Sequence, residues 1–435
     1  MRFFCLLRLT RDFSRELLLT RVVFLSLALL ATGCDKLPRG PYLQNPTEDS
    51  MVVKWRTDAS VVGQVEYGTS ANNLSDMTPA LAATTNHEVT LTGLQPDTTY
   101  YYRVLNDDSA TSSIHSFTTP HAAGDDSPFR VWLIGDSGTA DENAAAVRDA
   151  FYDFNGGPQT DLWLMLGDNA YTFGTDSEYQ RAVFEMYPET LATTPLYSTI
   201  GNHETMTTGG VPYFDIFTLP RNGEAGGIPS GTEAYYSFDY GNVHFICLDS
   251  EKASRAINGA MYNWLETDLQ ANTQDWTVVF FHQPPYSKGS HDSDDLLETK
   301  IRDMRQNFTP LFDQYGVDFV FSGHSHAYER SWPVAGHTGR SSTFEESMKV
   351  QTGDGREDGD GAYEKMYSQI QNSGVIYTVA GSSGKISGGT LDHPVHYMSL
   401  KELGSVVLDF SGDRVDAKFI TPNQGVRDYY TVQKF

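Results

Sequence analysis

Five short stretches of the 435-residue chain place metal-binding side chain types directly behind apolar runs. They are GDSG with Asp136, GDNAY with Asp168 and Tyr171, GNHE with Asn202 and His203, FHQPPY with His282, and GHSHAYER with His324 and His326. Carboxylates, imidazoles, an amide and a phenol are donors for hard and borderline ions, and such ions activate water and polarise phosphoryl oxygens. Singly each stretch is weak: a lone GD is usually a turn, a lone NH a helix cap, and a lone histidine behind a strand a hydrogen-bonded core residue. Jointly, each at a strand end, they point to one crevice, because the carboxyl ends of strands in an open α/β sheet line the ligand site.

The elements that must position these residues are readable from apolar patterning. Strands are predicted at VWLIG (131–135), LWLMLG (162–167), LYSTIG (196–201), VHFICLD (243–249), WTVVFF (276–281), VDFVFSG (317–323) and GVIYTVAG (374–381). Helices are predicted at ENAAAVRDAFYDF (142–154), MYNWLETDLQAN (261–272) and DLLETKIRDMRQNFTPLFDQY (295–315). Strand, helix, strand at this spacing means parallel βαβ units, so residues 129–435 read as an α/β domain. Residues 41–119 differ: short runs such as SMVVKW, HEVTLTGL and TYYYRVLN alternate polar with apolar between turn residues, the pattern of an all-β sandwich. Within it, LQPDTTYYYRV (94–104) resembles the fibronectin type III signature. A polar, proline-bounded linker fills 120–128. Residues 333–373 read as a polar insertion, a solvated and mobile loop whose stretch TGDGREDGDGAYE (352–364) lacks the register of a calcium loop.

With 39% hydrophobic and 20% charged residues the chain is long enough for two or three globular domains. Its net charge of -25 excludes partners bound by neutralising many phosphates, nucleic acid and anionic bilayers among them. The first residues read as an export signal at 1–33: Arg2, Arg8, Arg11, Arg15 and Arg21 precede the apolar run VVFLSLALLA (22–31). That run ends in Ala31, Thr32 and Gly33 before Cys34, which resembles the lipobox of bacterial lipoproteins; an ordinary cleaved signal or a signal anchor is the alternative. The lipobox implies cleavage after Gly33, a lipid on Cys34 as the sole membrane attachment, a tether at 34–40, and residence on the bacterial cell envelope. The cysteines are Cys5, Cys34 and Cys247, so the mature chain has one thiol, predicted to be buried and inert in VHFICLD, and no intrachain disulfide.

In order and spacing the five motifs resemble the calcineurin-like metallophosphatases, and with Tyr171 three residues after Asp168 they resemble the purple acid phosphatases in particular. The resemblance covers about residues 41–332, the sandwich included. It implies a multidomain chain: a fibronectin III-like sandwich, then an α/β metallophosphatase domain of four layers with sheets flanked by helices. It implies a dinuclear centre in which Asp136, Asp168, Tyr171 and His326 hold ferric iron, while Asp168, Asn202, His282 and His324 hold a divalent iron, zinc or manganese ion, Asp168 bridging. A phenolate is a hard anionic donor, which suits a trivalent ion. The implied reaction is hydrolysis of small phosphate monoesters by attack of metal-bound hydroxide on phosphorus, with His203 serving the leaving group and His291, in SKGSHDSD, as a further active-site histidine. A phosphodiesterase or nucleotide hydrolase on the same frame is the near alternative, and a surface adhesion or scaffold lipoprotein with a degenerate metal domain the remote one. After Arg330 the chain departs from the family pattern, in the insertion and in the ending GVRDYYTVQKF (425–435).

Overall fold

A computed structural model describes residues 37–367 and 370–435. The predicted export signal and Cys34 lie outside the described residues.

The N-terminal part is a sandwich of two antiparallel sheets, as the alternation implies. One sheet orders Arg39–Thr47, Ser50–Val61 and Thr84–Thr92; the other is built on Gly63–Gly68 and Thr99–Asn106. In Thr84–Thr92 the residues His87, Val89 and Leu91 are buried and their neighbours are not, which is the period-two signal that revealed the strand. The first strand, Arg39–Thr47, begins within the segment read as a tether. It joins the sandwich to the rest: Tyr42 donates its hydroxyl to Ile216 O at 2.9 Å and Gln44 its amide to Leu196 O at 2.9 Å.

The α/β part has two seven-stranded sheets face to face. One orders Leu196–Ser198, Leu162–Met165, Phe129–Ile134, Ser405–Ser411, Arg414–Thr421, Gly425–Lys434 and Tyr363–Lys365. The other orders Tyr236–Tyr240, Val243–Cys247, Trp276–Phe280, Phe319–Ser322, Ile376–Ala380, Tyr328–Ser331 and His396–Leu400. Apolar runs without alternation are what strands buried on both faces need. Val278 and Phe280 enter the core between the sheets, while Val279 and Phe281 enter a second core beneath the helix Ala260–Ala271 and the helical run after Thr299. Across the inter-sheet core Phe129 meets Tyr240 at 4.7 Å between ring centroids, and Phe410 meets Trp276 at 6.3 Å. On the other side of the first sheet Trp132 stacks at 4.1 Å on Phe151 of the helix Glu142–Asn155. Cys247 is buried between the sheets, as its surroundings predicted.

Two further expectations change. The helix predicted for 295–315 begins only at Thr299 and widens into a π-helical turn over Met304–Phe308 before Thr309–Gln314. Pro310 has no N–H to give back along the helix and its ring crowds the preceding turn, so the chain opens there. The described residues of 333–373 are tied to the fold at several points, where a solvated loop was expected. Val334 and Val375 exchange backbone hydrogen bonds at 3.0 and 2.9 Å, and Tyr363–Lys365 pairs with Gly425–Lys434 as the edge of the first sheet. Its polar composition hid buried ion pairs: Lys365 joins Lys434 on Asp318, and Arg356 joins Arg330 on Asp428. The unfamiliar ending supplies the strand Gly425–Lys434, which with Arg414–Thr421 and Ser405–Ser411 makes three antiparallel strands, of which Ser405–Ser411 pairs with the strand leading to Asp136. No helix among the described residues is long and apolar enough to cross a membrane.

Candidate metal centre

Each motif follows a strand terminus and turns sharply there. Asp136, Asp168 and His324 have positive φ angles of 56, 52 and 66°, a conformation that side chains adopt at a cost and that swings each one off its strand axis. Gly167, at φ 89°, precedes Asp168 because a Cβ there would come within 2.6 Å of His282 Nδ1.

The turns gather two groups of donors. In the first, the Tyr171 hydroxyl donates to Asp136 Oδ1 at 3.0 Å and lies 3.3 Å from His326 Nε2, itself 3.4 Å from Asp136 Oδ1. In the second, His282 Nε2 lies 3.1 Å from Asn202 Oδ1 and 3.4 Å from Asp168 Oδ1, and donor atoms of Asp168, His282 and His324 fall within 4.8 Å of one another. The two histidines of GHSH, which an extended chain would send apart, join different groups because the backbone bends at His324.

Outer atoms fix the rings. His282 donates Nδ1–H to Leu166 O at 2.9 Å, and His326 Nδ1 pairs with Ser387 Oγ at 2.9 Å, so both Nε2 atoms face inward. Burial pulls the His282 pKa down, but the Asp168 carboxylate outweighs it and raises it to about 10. Burial lowers His324 to about 4 against the pull of Glu298. Burial, then the charges of Asp136 and Asp168, raise the Tyr171 phenol well above its usual value. Asp168 is held below the carboxylate range because His282 and His203 outweigh its burial. Among the described residues no lysine or arginine pairs with the buried Asp136 or Asp168; their ion-pair partners are histidines alone. Two buried carboxylates without a fixed cation, inward imidazole nitrogens, an amide oxygen and a phenol form a donor set that suits metal ions.

His203 and His291 flank these groups. The His203 ring stands edge-on to Tyr171 at 4.6 Å, donates Nδ1–H to Thr172 O at 2.7 Å, and keeps Nε2 3.8 Å from Asp168 Oδ2. His291 stacks on His324 at 3.7 Å.

Three carboxylates escaped the sequence reading. Glu204 is fully buried and accepts the backbone N–H groups of Gly201, Asp168, Asn169 and Ala170 at 2.7 to 3.2 Å, tying the GNHE turn to the GDNAY turn. Burial and the neighbouring Asp168 push its pKa up to about 8. Its signal was its place three residues after the helix-capping Gly201. Glu329, in the last motif, accepts from Ser287 Oγ and Lys288 N and so fixes the segment leading to His291. Glu298 accepts from His291 Nδ1 at 2.6 Å, a bond that holds its carboxyl well below the usual range, and no motif marks it.

Residues 129–328 match the family Calcineurin-like phosphoesterase, and residues 38–119 match Purple acid Phosphatase, N-terminal domain. Purple acid phosphatase 15 of Arabidopsis thaliana is 32% identical over 56% of this chain and 49% of its own length. Acid phosphatase type 7 of Mus musculus is 29% identical over 67% of this chain and 70% of its own length. The chain thus spans about half the length of the Arabidopsis relative. The solved structure of purple acid phosphatase PPD1 from yellow lupin (Lupinus luteus) shares the fold, with a TM-score of 0.71 and 19% identity over 92% of this chain and 75% of that one. The chain therefore carries a calcineurin-like metallophosphatase domain behind a purple acid phosphatase N-terminal domain.

Proposed function

We propose that the protein is an exported phosphatase that hydrolyses small phosphate monoesters at a pair of metal ions. The observation that carries this reading is the convergence of all seven expected ligands into two donor groups, Asp136 with Tyr171 and His326, and Asp168 with Asn202, His282 and His324. In this reading the phenol-bearing group takes ferric iron and the other takes divalent iron, zinc or manganese, with Asp168 serving both. When bound, the ions supply charge neutralisation, polarisation of phosphorus and a water made acidic enough to react near neutral pH.

The chain's own residues do the rest. Thr172 O accepts from His203 Nδ1–H and so aims Nε2 at the crevice, where the ring, when it carries a proton on Nε2 as well, is placed to give that proton to the departing alcohol. His291, across the crevice on the His324 ring, is placed to contact a phosphoryl oxygen. Export and the lipid on Cys34 rest on the arginine-led apolar run and its Ala-Thr-Gly-Cys ending.

Metal analysis of protein purified without chelator, paired with assays on mono- and diesters, tests the reading. Two ions per chain and faster monoester turnover are expected. Turnover confined to diesters shifts the reading to a phosphodiesterase, and neither metal nor turnover overturns it.

A further inference from the structure

We propose that Glu298 is a positioning residue that acts through His291, an inference that rests on the phosphatase reading above. Glu298 caps the helix Thr299–Asp303, and its backbone is fixed by Glu298 N to Asp295 O at 3.2 Å and Arg302 N to Glu298 O at 3.1 Å. From that anchored position its Oε1 accepts from His291 Nδ1 at 2.6 Å while its Oε2 stands 3.8 Å from His324 Nε2. The two imidazoles lie face to face, centroids 3.7 Å apart and planes 28° from parallel, and His326 stands 6.4 Å from His291 at 87°. His291 therefore sits beside the histidines of both donor groups.

An imidazole has one ring rotation to spend. With Nδ1–H committed to Glu298, Nε2 is left on the far side of the ring from that carboxylate, and stacking on His324 prevents the ring from tilting away. Glu298 thus sets where His291 meets the phosphoryl group of an ester, and needs no contact with the ester itself. The rival role is that of a metal donor, since donor atoms of His291, Glu298 and His324 also fall within 4.8 Å of one another.

The metal-loaded protein and its variants Glu298→Ala, Glu298→Gln, His291→Ala and the double alanine variant separate these roles. Against 4-nitrophenyl phosphate, Glu298→Ala is expected to raise KM about tenfold, the loss of one charge-assisted hydrogen bond, with the smaller effect on kcat. Glu298→Gln keeps an amide oxygen that accepts from Nδ1–H and is expected to stay within about threefold of wild type. The double variant should match His291→Ala, since a residue acting through another adds nothing once that one is gone. Nitrogen-15 NMR of the metal-free protein should show the His291 proton on Nδ1 in wild type and in Glu298→Gln, and mixed tautomers in Glu298→Ala. Additive losses in the double variant, or an ion lost from Glu298→Ala, overturn the proposal. If the wild type turns over no phosphate ester, the functional reading fails by itself, and the NMR decides Glu298 alone: a wild-type His291 without its proton on Nδ1 sinks it.

Discussion

The Tyr171 hydroxyl points at Asp136 Oδ1 from 3.0 Å, closing a triangle with His326. A phenol pushed well above its usual pKa by burial and two carboxylates loses its proton only to a strong Lewis acid. Protein isolated with iron is expected to be purple or pink from phenolate-to-iron charge transfer, and Tyr171→Phe to be colourless with its iron retained. Visible spectra beside iron analysis decide it; a colourless, active, iron-loaded wild type refutes the ligand assignment.

His203→Ala should keep both ions and lose about 10²- to 10⁴-fold in turnover, the range for one positioned acid or base. The loss should shrink for nitrophenyl esters, whose leaving group departs without a proton, and stay large for alkyl esters. Equal losses on both classes would assign His203 to charge stabilisation instead.

Glu204→Gln should destabilise the protein out of proportion to its size. At pH values above about 8, where Glu204 is ionised, the carboxylate meets four N–H donors with two oxygens, and the amide must turn an NH₂ towards some of them. A buried clash of donors costs about 2 kcal/mol or more. Urea unfolding measures it, and metal affinity should fall in parallel as both turns loosen. A variant as stable as wild type would show that Glu204 is not the tie.

His244 gives the stability a pH dependence away from the metals. It is buried between Asp239 at 2.6 Å and Asp268 at 2.9 Å, and those carboxylates overcome burial to raise it to about 9. Folded His244 holds its proton more tightly than the unfolded chain does, with its ordinary value near 6.5. The stabilisation, about 3 kcal/mol, is therefore whole below the unfolded value and lost as pH rises through the folded one. Wild type should lose urea resistance between about pH 6 and pH 9.5, and His244→Gln should lose less over the same range.

Cys34→Ala should release the protein into the soluble fraction with activity intact, because no site residue lies near it in the chain. Acyl labelling that persists in the variant would refute the lipid site.

What the sequence displayed well was local. Val278, Val279, Phe280 and Phe281 read as one buried strand, and the metal donors stood out because each polar side chain broke an apolar run at its end. What it concealed was pairing over distance. Glu298 looked like one more charge on a helix, since its partner His291 lies in a loop before it and the helix starts after it. Lys365 lay in a segment read as solvated, because the Asp318 that it shares with Lys434 sits on another strand's approach. Glu204 stands three residues after the capping Gly201, but its other donors belong to a turn far back in the chain, so nothing local marked it as a tie.

The strand Phe129–Ile134, which delivers Asp136, is hydrogen-bonded on one side to Leu162–Met165 and on the other to Ser405–Ser411. Its second neighbour lies far downstream in the chain, and so does Lys434, which pairs with Asp318. A nascent chain held at the ribosome or threaded through a translocon therefore lacks a finished first donor group, whatever ions surround it. If the proposed export signal carries the chain out unfolded, the metals available where folding ends, and not those of the cytoplasm, would decide which ions the centre receives.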